Sequence, residues 1–360
     1  MAPNSVSDVN GRQKAEELDL LQGAVSIYSP SLEEENASKF LVEEMARRGF
    51  RAFRDEVGNA VGILGDGEKR IAFLGHIDTV RGQFDVRIED NKLYGRGAVD
   101  AKGTLCAFIC AATRLEEAGR LREKTLIVIG AVEEEAATSK GARYAMTQFQ
   151  PDFCINGEPS GWDAITLGYK GRLLAKYFLR LPMTHTASGA KSACERGFEF
   201  WQSVQQGAAE FNTGKSGFER LDPSLRRIHS DSDGNYEHVD LWMGFRLPVG
   251  FDVSALKRNL LEIAGEGQLQ FSGEETAVRM GKSNALVRAF LKSIRSSGGD
   301  PKFKVKTGTS DMNVVAPHWT CPMVAYGPGD STLDHTPQEH LELEEYFRSI
   351  EILEKVLVEL

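Results

Sequence analysis

Thr125 to Val132 is an apolar, β-branched run, and Glu133, Glu134 and Glu135 follow it with no spacer. A run of that length and composition reads as a strand buried on both faces, as in a layered α/β sheet. Three consecutive carboxylates at the end of such a strand repel one another. A cation can neutralise them, their protons can be held more tightly, or the loop can be a solvated one. The fold must therefore cover this strand on both sides and still give its end a polar setting.

The neighbouring sequence fits such a layered domain. Gln13 to Tyr28 has helical spacing, with Leu18, Leu21, Val25 and Tyr28 on one face. Ser31, with Glu34 three residues on, reads as a capping box opening a second helix that Gly49 ends. Ala60–Leu64 and Arg70–Leu74 read as strands joined by a hairpin-like turn at Gly65 to Gly67. A helix over Gly103–Ala118, a shorter one after Ser139 and a strand over Asp152–Asn156 complete an alternating series. After about Gly168 the texture changes. Arg172–Leu181 and Asp240–Leu247 alternate as half-exposed strands, with helices near Cys194–Gln206 and Val253–Ile263. Ser283–Ser297 then returns to an amphipathic helix, Pro322–Tyr326 to a buried strand, and Glu342 onward to a last helix. The simplest organisation is an insertion. Residues 1–168 plus 276–360 form a layered α/β domain with a mostly parallel mixed sheet, and residues 169–275 form a smaller α+β domain within it.

Composition narrows the functional classes. A chain of 360 residues with 41% hydrophobic residues is long and apolar enough for a large core. No run of 18 apolar residues suggests a spanning helix, and Met1 to Asn10 lacks a basic-then-apolar leader pattern. The expectation is a cytoplasmic protein with no membrane role. A net charge of −9 and the lack of a basic stripe argue against nucleic acid as partner. The cysteines, Cys106, Cys110, Cys154, Cys194 and Cys321, are odd in number and sit in apolar stretches, as reduced core thiols do. A metal pair at Cys106 and Cys110 is the weaker reading, because no partner pair follows.

Five polar elements fall at strand ends or in loops leading from them. His76 and Asp78, in Gly75-His76-Ile77-Asp78, point the same way on extended chain, so the Asp can hold a ring N–H of the His. Asp100 lies in the glycine-rich Gly95-Arg96-Gly97-Ala98-Val99-Asp100 just before a helix. Neither the dinucleotide fingerprint nor the P-loop pattern is present there. Glu133 to Glu135 form the third element, Glu158 the fourth, and Asp334-His335-Thr336-Pro337 the fifth. Singly, each has a bland reading as a polar turn or helix cap. Together, histidines and carboxylates without thiolates suit a two-metal hydrolase centre for Zn²⁺, Co²⁺ or Mn²⁺.

These motifs, in this order and spacing, resemble metallopeptidase family 20, which includes aminoacylases, acetylornithine deacetylase and succinyl-diaminopimelate desuccinylase. The resemblance implies two divalent ions, zinc first and cobalt second. It implies His76 and Glu158 as ligands of one ion, Glu135 and His335 as ligands of the other, and Asp100 between them. It also implies Asp78 behind His76, Glu134 as general base, and a cis peptide after Asp100. The inserted domain would be a lid, through which relatives form homodimers or higher homo-oligomers. His185 of the lid matches an oxyanion donor, Arg246 a clamp on the substrate carboxylate, and Thr309 and Ser310 a loop lining the pocket. An ordinary helix cap is the competing reading of Ser310.

Within the family, Ala131 to Arg143 and Tyr326 to Pro337 look most like one subgroup. Its members release lysine or ornithine from the C-terminal glutamate of a small acidic amino-group carrier protein. N-acetylornithine or N-acetyl-lysine deacetylase and succinyl-diaminopimelate desuccinylase stay open, as does a member that binds metal or amide without hydrolysis. An acidic enzyme meeting an acidic carrier requires a basic patch, for which Lys170, Arg172 and Lys176, with Arg226 and Arg227, are the candidates.

Overall fold

The computed structural model describes residues 6–360, so the first half of the stretch read for a leader lies outside the described residues. The chain divides into two compact units. One comprises the chain up to Gly168 with Met280–Lys304 and Ser310–Leu360; the other comprises Tyr169–Arg279 with Val305–Thr309.

The larger unit is built on a mixed sheet with a parallel centre. From one edge its strands run Arg51–Arg54, Ala60–Leu64, Lys124–Ala131, Lys69–His76, Phe153–Gly157, Met323–Tyr326 and Ala164–Tyr169. The middle pairings, Lys124–Ala131 with Lys69–His76, then Phe153–Gly157, then Met323–Tyr326, are parallel. Helices Val6–Ser26, Lys102–Glu117, Ala285–Ser296 and Leu343–Glu359 contribute to a continuous core with these strands. Lys102–Glu117 is buried on nearly every side, including Leu105, Phe108, Ile109 and Ala112, which is why its sequence shows little amphipathic contrast.

The expected hairpin at Gly65 to Gly67 is not what forms. Lys124–Ala131 lies between the two strands, antiparallel to Ala60–Leu64 and parallel to Lys69–His76. The most apolar strand thus takes an interior position, where Leu126 to Ala131 are buried. The glycine turn instead runs over the start of that strand. Gly67 N–H donates to Lys124 O at 3.3 Å, and a Cβ on Gly67 would sit 1.8 Å from the Glu123 carbonyl carbon.

Register then sets the rim. Gly75 pairs with both Gly130 and Gly157, so the residues that follow these three strands emerge side by side. His76 lies opposite Ala131, and Glu158 is the next residue after Gly157. A Cβ on Gly157 would lie 2.9 Å from Gly75 Cα, so glycine there allows the close approach. The carboxyl ends of parallel strands are where open α/β sheets bind ligands.

The smaller unit is a four-stranded antiparallel sheet in the order Asp222–Ser232, Tyr236–Leu247, Gly171–Pro182 and Gln268–Glu275. The sequence reading found two of these strands; Asp222–Ser232 and Gln268–Glu275 carry too little apolar alternation to show. Helices Ala193–Phe211 and Val253–Ala264 cover one face, where Val239, Leu241, Met243 and Phe245 meet Phe200, Val204 and Leu260. Ser192 and Glu195 form a reciprocal capping box at the first helix, and Asp252 caps the second.

The cysteine reading needs one correction. Cys106, Cys110 and Cys154 are buried and free, but Cys194 is exposed at the start of its helix. Cys106 and Cys110 do not form a metal pair, since Cys106 Sγ faces Leu20 O and Cys110 Sγ meets Tyr346 Oη at 3.5 Å. Burial pushes the Cys110 thiol up to about 12, against ionisation and ligation. No helix among the described residues is long and apolar enough to cross a membrane.

Candidate metal centre

His76 ends its strand with both ring nitrogens engaged. Nδ1 donates to the backbone carbonyl of Asp78 at 2.9 Å, and Nε2 lies 3.1 Å from Asp100 Oδ1. A carbonyl only accepts, so Nδ1 carries a proton, and Nε2 is the nitrogen that faces Asp100. Burial alone would depress the His76 pKa. The Asp100 and Asp78 carboxylates outweigh it and hold the ring protonated well above the usual range.

Asp78 is wholly buried and joins three segments. Its Oδ1 accepts Glu134 N–H, and its Oδ2 accepts Glu135 N–H, each at 3.0 Å. Oδ2 also accepts the Ser31 hydroxyl at 2.7 Å. This overturns the reading of Ser31 as a cap. The helix begins at Glu35 with no side-chain cap, and Glu34 accepts the N–H groups of Leu32 at 2.9 Å and Glu133 at 3.1 Å. Ser31 and Glu34 therefore brace the rim, and a local motif yields to tertiary hydrogen bonding.

Asp100 presents one oxygen to each side. Oδ1 faces His76, while Oδ2 lies 3.1 Å from His335 Nε2. His335 Nε2 also lies 2.8 Å from Glu135 Oε1. Burial would raise the Asp100 carboxyl, but its bonds with His335 and His76 hold it far below the usual carboxylate range. Bonds to Asp100 and then Glu135 raise His335 to about 10. The peptide after Asp100 is cis.

Glu134 stands among these groups with its carboxyl well above the normal range. Burial is the main cause, and the charges of Glu158, Asp311 and Glu135 add to it against the opposing effect of His76. Glu158 is buried just past the Gly157 strand.

The donor set fits divalent metal. One ligand atom from each of Asp100, Glu135 and His335 lies within 4.8 Å of the others, and His76 Nε2 approaches the opposite oxygen of Asp100. The two protonated imidazoles supply positive charge where cations would otherwise sit. The set is oxygen and imidazole with no thiolate, which suits zinc, cobalt or manganese.

Sequence reasoning missed Glu339. Its fully buried carboxylate accepts the N–H groups of Gly97, Val99 and Asp100 at 2.9, 3.0 and 3.2 Å and pairs with Arg96 at 2.7 Å. The signal was the arginine between Gly95 and Gly97, which needs an anion once buried.

The remaining candidates belong elsewhere in the fold. Ser310 is buried and forms a capping box with Asn313 at the helix Asp311–Val315. In the smaller unit, exposed His185 accepts Ala187 N–H through Nδ1 at 3.1 Å, and Arg246 Nη1 donates to Thr309 Oγ1 at 3.1 Å. The basic patch is smaller than expected. Lys170 is buried and donates to Asp222 at 2.5 Å and Arg220 O at 2.7 Å, and Arg172 donates to Gly273 O at 3.0 Å. Lys176, Arg226 and Arg227 are exposed.

Residues 72–359 match the model of peptidase family M20/M25/M40. The LysW-lysine hydrolase of Deinococcus radiodurans is 48% identical over 349 residues, covering 95% of this chain and 96% of that one. A LysW-lysine/LysW-ornithine hydrolase of Saccharolobus islandicus is 30% identical, covering 93% of each. In fold, the M20 family metallo-carboxypeptidase Sso-CP2 of Sulfolobus solfataricus superimposes with a TM-score of 0.81 at 19% identity, covering 95% of this chain and 98% of that one.

Proposed function

The chain belongs to peptidase family M20/M25/M40, and we propose that it releases lysine, or ornithine, from the C-terminal glutamate of a small acidic amino-group carrier protein by metal-dependent amide hydrolysis. The substrate reading is supported by the Deinococcus radiodurans relative, whose name specifies LysW-lysine and which matches 95% of this chain. The two-sided use of Asp100, with His76 on Oδ1 and His335 on Oδ2, carries the chemical reading.

In this reading Asp100, with His76 and Glu158 on one side and Glu135 and His335 on the other, would hold two divalent ions. Two bound divalent ions, zinc or cobalt, would supply charge compensation and Lewis acidity at the amide. The chain's own residues do the rest. Glu134 takes the proton of the attacking water and returns it to the leaving amine, a role suited by a carboxyl whose pKa is raised by burial and neighbouring carboxylates. Asp78 fixes the His76 ring and holds the Glu134 and Glu135 backbone in place. His185 is assigned to the developing oxyanion, Arg246 to a substrate carboxylate as a forked clamp, and Thr309 and Ser310 to the pocket loop. The smaller unit serves as lid and homodimer contact. A cytoplasmic setting accords with free thiols at Cys106, Cys110 and Cys154.

The test is a side-by-side measurement of kcat/KM on carrier-linked lysine, carrier-linked ornithine, N-acetylornithine and succinyl-diaminopimelate. Preference for a carrier-linked substrate is the expected result. Preference for a small acylated amino acid would replace the substrate reading while leaving the chemistry intact.

A further inference from the structure

Outside the rim, the described residues hold a second group of three ligand-type side chains. One ligand atom from each of His229, His238 and Asp240 lies within 4.8 Å of the others. They come from two short repeats on paired antiparallel strands of the smaller unit, His229-Ser230-Asp231 and His238-Val239-Asp240. Register sets His229 opposite Asp240 and Asp231 opposite His238. Residues two apart, and residues directly opposite, share a face of a sheet. Val239 between the second pair is wholly buried in the helix-covered core, so these four side chains lie on the other face.

The two oxygens of Asp240 have separate partners. Oδ1 lies 3.3 Å from Lys176 Nζ, and Oδ2 lies 3.9 Å from His238 Nε2. The second spacing is too long for a hydrogen bond. Two ligands at a tetrahedral angle on one ion, with bonds of about 2.1 Å, lie about 3.4 Å apart, so a shared ion draws these two atoms together by roughly half an ångström. The His229 and His238 rings stand beside each other, with centroids 5.8 Å apart, and Phe178 borders His238 at 5.9 Å. The other cations on this face have partners of their own. Arg180 is bonded to Asp233 at 2.9 Å, and Arg227 lies over the Trp242 ring. Among the described residues, Lys176 is the cation placed directly on Asp240.

We propose that His229, His238 and Asp240 bind one divalent transition-metal ion on the open face of the hairpin, separately from the Asp100 centre. Two imidazoles and a carboxylate select zinc, nickel or copper over magnesium or calcium. Bringing the three atoms onto one ion takes only side-chain rotation at the surface, and the bound ion ties the edge strand Asp222–Ser232 to its neighbour.

The experiment is equilibrium dialysis of the full-length protein against zinc at pH 7.5, with elemental analysis of the dialysed chain. The parent is expected to hold one zinc more per chain than a His229→Ala, His238→Ala double variant, with equal hydrolytic activity and equal circular dichroism. Lys176→Met, which removes the competing cation, is expected to tighten binding of that zinc. Equal zinc content in parent and double variant would overturn the proposal. So would an affinity that Lys176→Met leaves unchanged or weakens.

Discussion

Asp78 accepts the backbone N–H of Glu134 at 3.0 Å across 56 residues of chain, and this bond ties the end of one strand to the carboxylate loop after the next. An asparagine at 78 keeps the shape but turns an NH₂ toward one of the two N–H donors that the carboxylate now receives. Asp78→Asn is expected to cost about 10- to 100-fold in metal affinity or kcat/KM, the range for partners of a metal-binding histidine. Metal titration and steady-state kinetics of the variant check this, and an affinity and a kcat/KM both unchanged would remove Asp78 from the centre.

Glu134 is the proposed base, its carboxyl held above the normal range by burial and by the charges of Glu158, Asp311 and Glu135. Glu134→Gln is expected to retain bound metal and lose roughly two to four orders of magnitude in kcat. Elemental analysis and steady-state kinetics on one preparation separate the two effects. A near-normal kcat would move the base to another residue.

Metal uptake should expel protons. In the metal-free chain His335 is raised to about 10 by Asp100 and Glu135, so it is charged at neutral pH. An imidazole must be neutral to bind a metal ion, so binding below that value releases the proton of His335. The apparent metal affinity should therefore rise with pH and level off only above about 10. Calorimetric titration in buffers of different ionisation enthalpy reads the released protons directly. Heats independent of the buffer would contradict this linkage.

Much of the rim was legible because its residues follow apolar strands in the sequence itself. His76, Glu133 to Glu135 and Glu158 each begin where a buried run stops, and parallel register brings those ends together. Strand order was not legible. Nothing local reveals that Lys124–Ala131 enters between two strands that are neighbours in sequence. Glu339 was missed because its role is to satisfy backbone donors of a loop over 200 residues earlier, a demand that exists only once that loop is folded. Ser31 and Lys170 were misread for the same reason. A cap motif and a basic side chain describe local preference, whereas Asp78 and Asp222 decide where these groups go.

The Arg96–Glu339 pair should be coupled strongly. Glu339→Ala leaves a buried guanidinium and three backbone N–H groups without their acceptor, and is expected to cost about 3–5 kcal/mol of stability. The Arg96→Ala, Glu339→Ala double variant should lose less than the sum of the single losses. Denaturant unfolding of the four proteins closes the cycle, and strict additivity would show that the pair acts as two independent groups.

Asp100 meets His76 with one carboxylate oxygen and His335 with the other. The direct measurement is the metal content of Asp100→Ala against the parent, with hydrolysis measured on the same samples. The variant is expected to lose two zinc or cobalt ions per chain together with its activity. A variant that keeps the parent's metal content, or a parent fully active after complete metal removal, would contradict it.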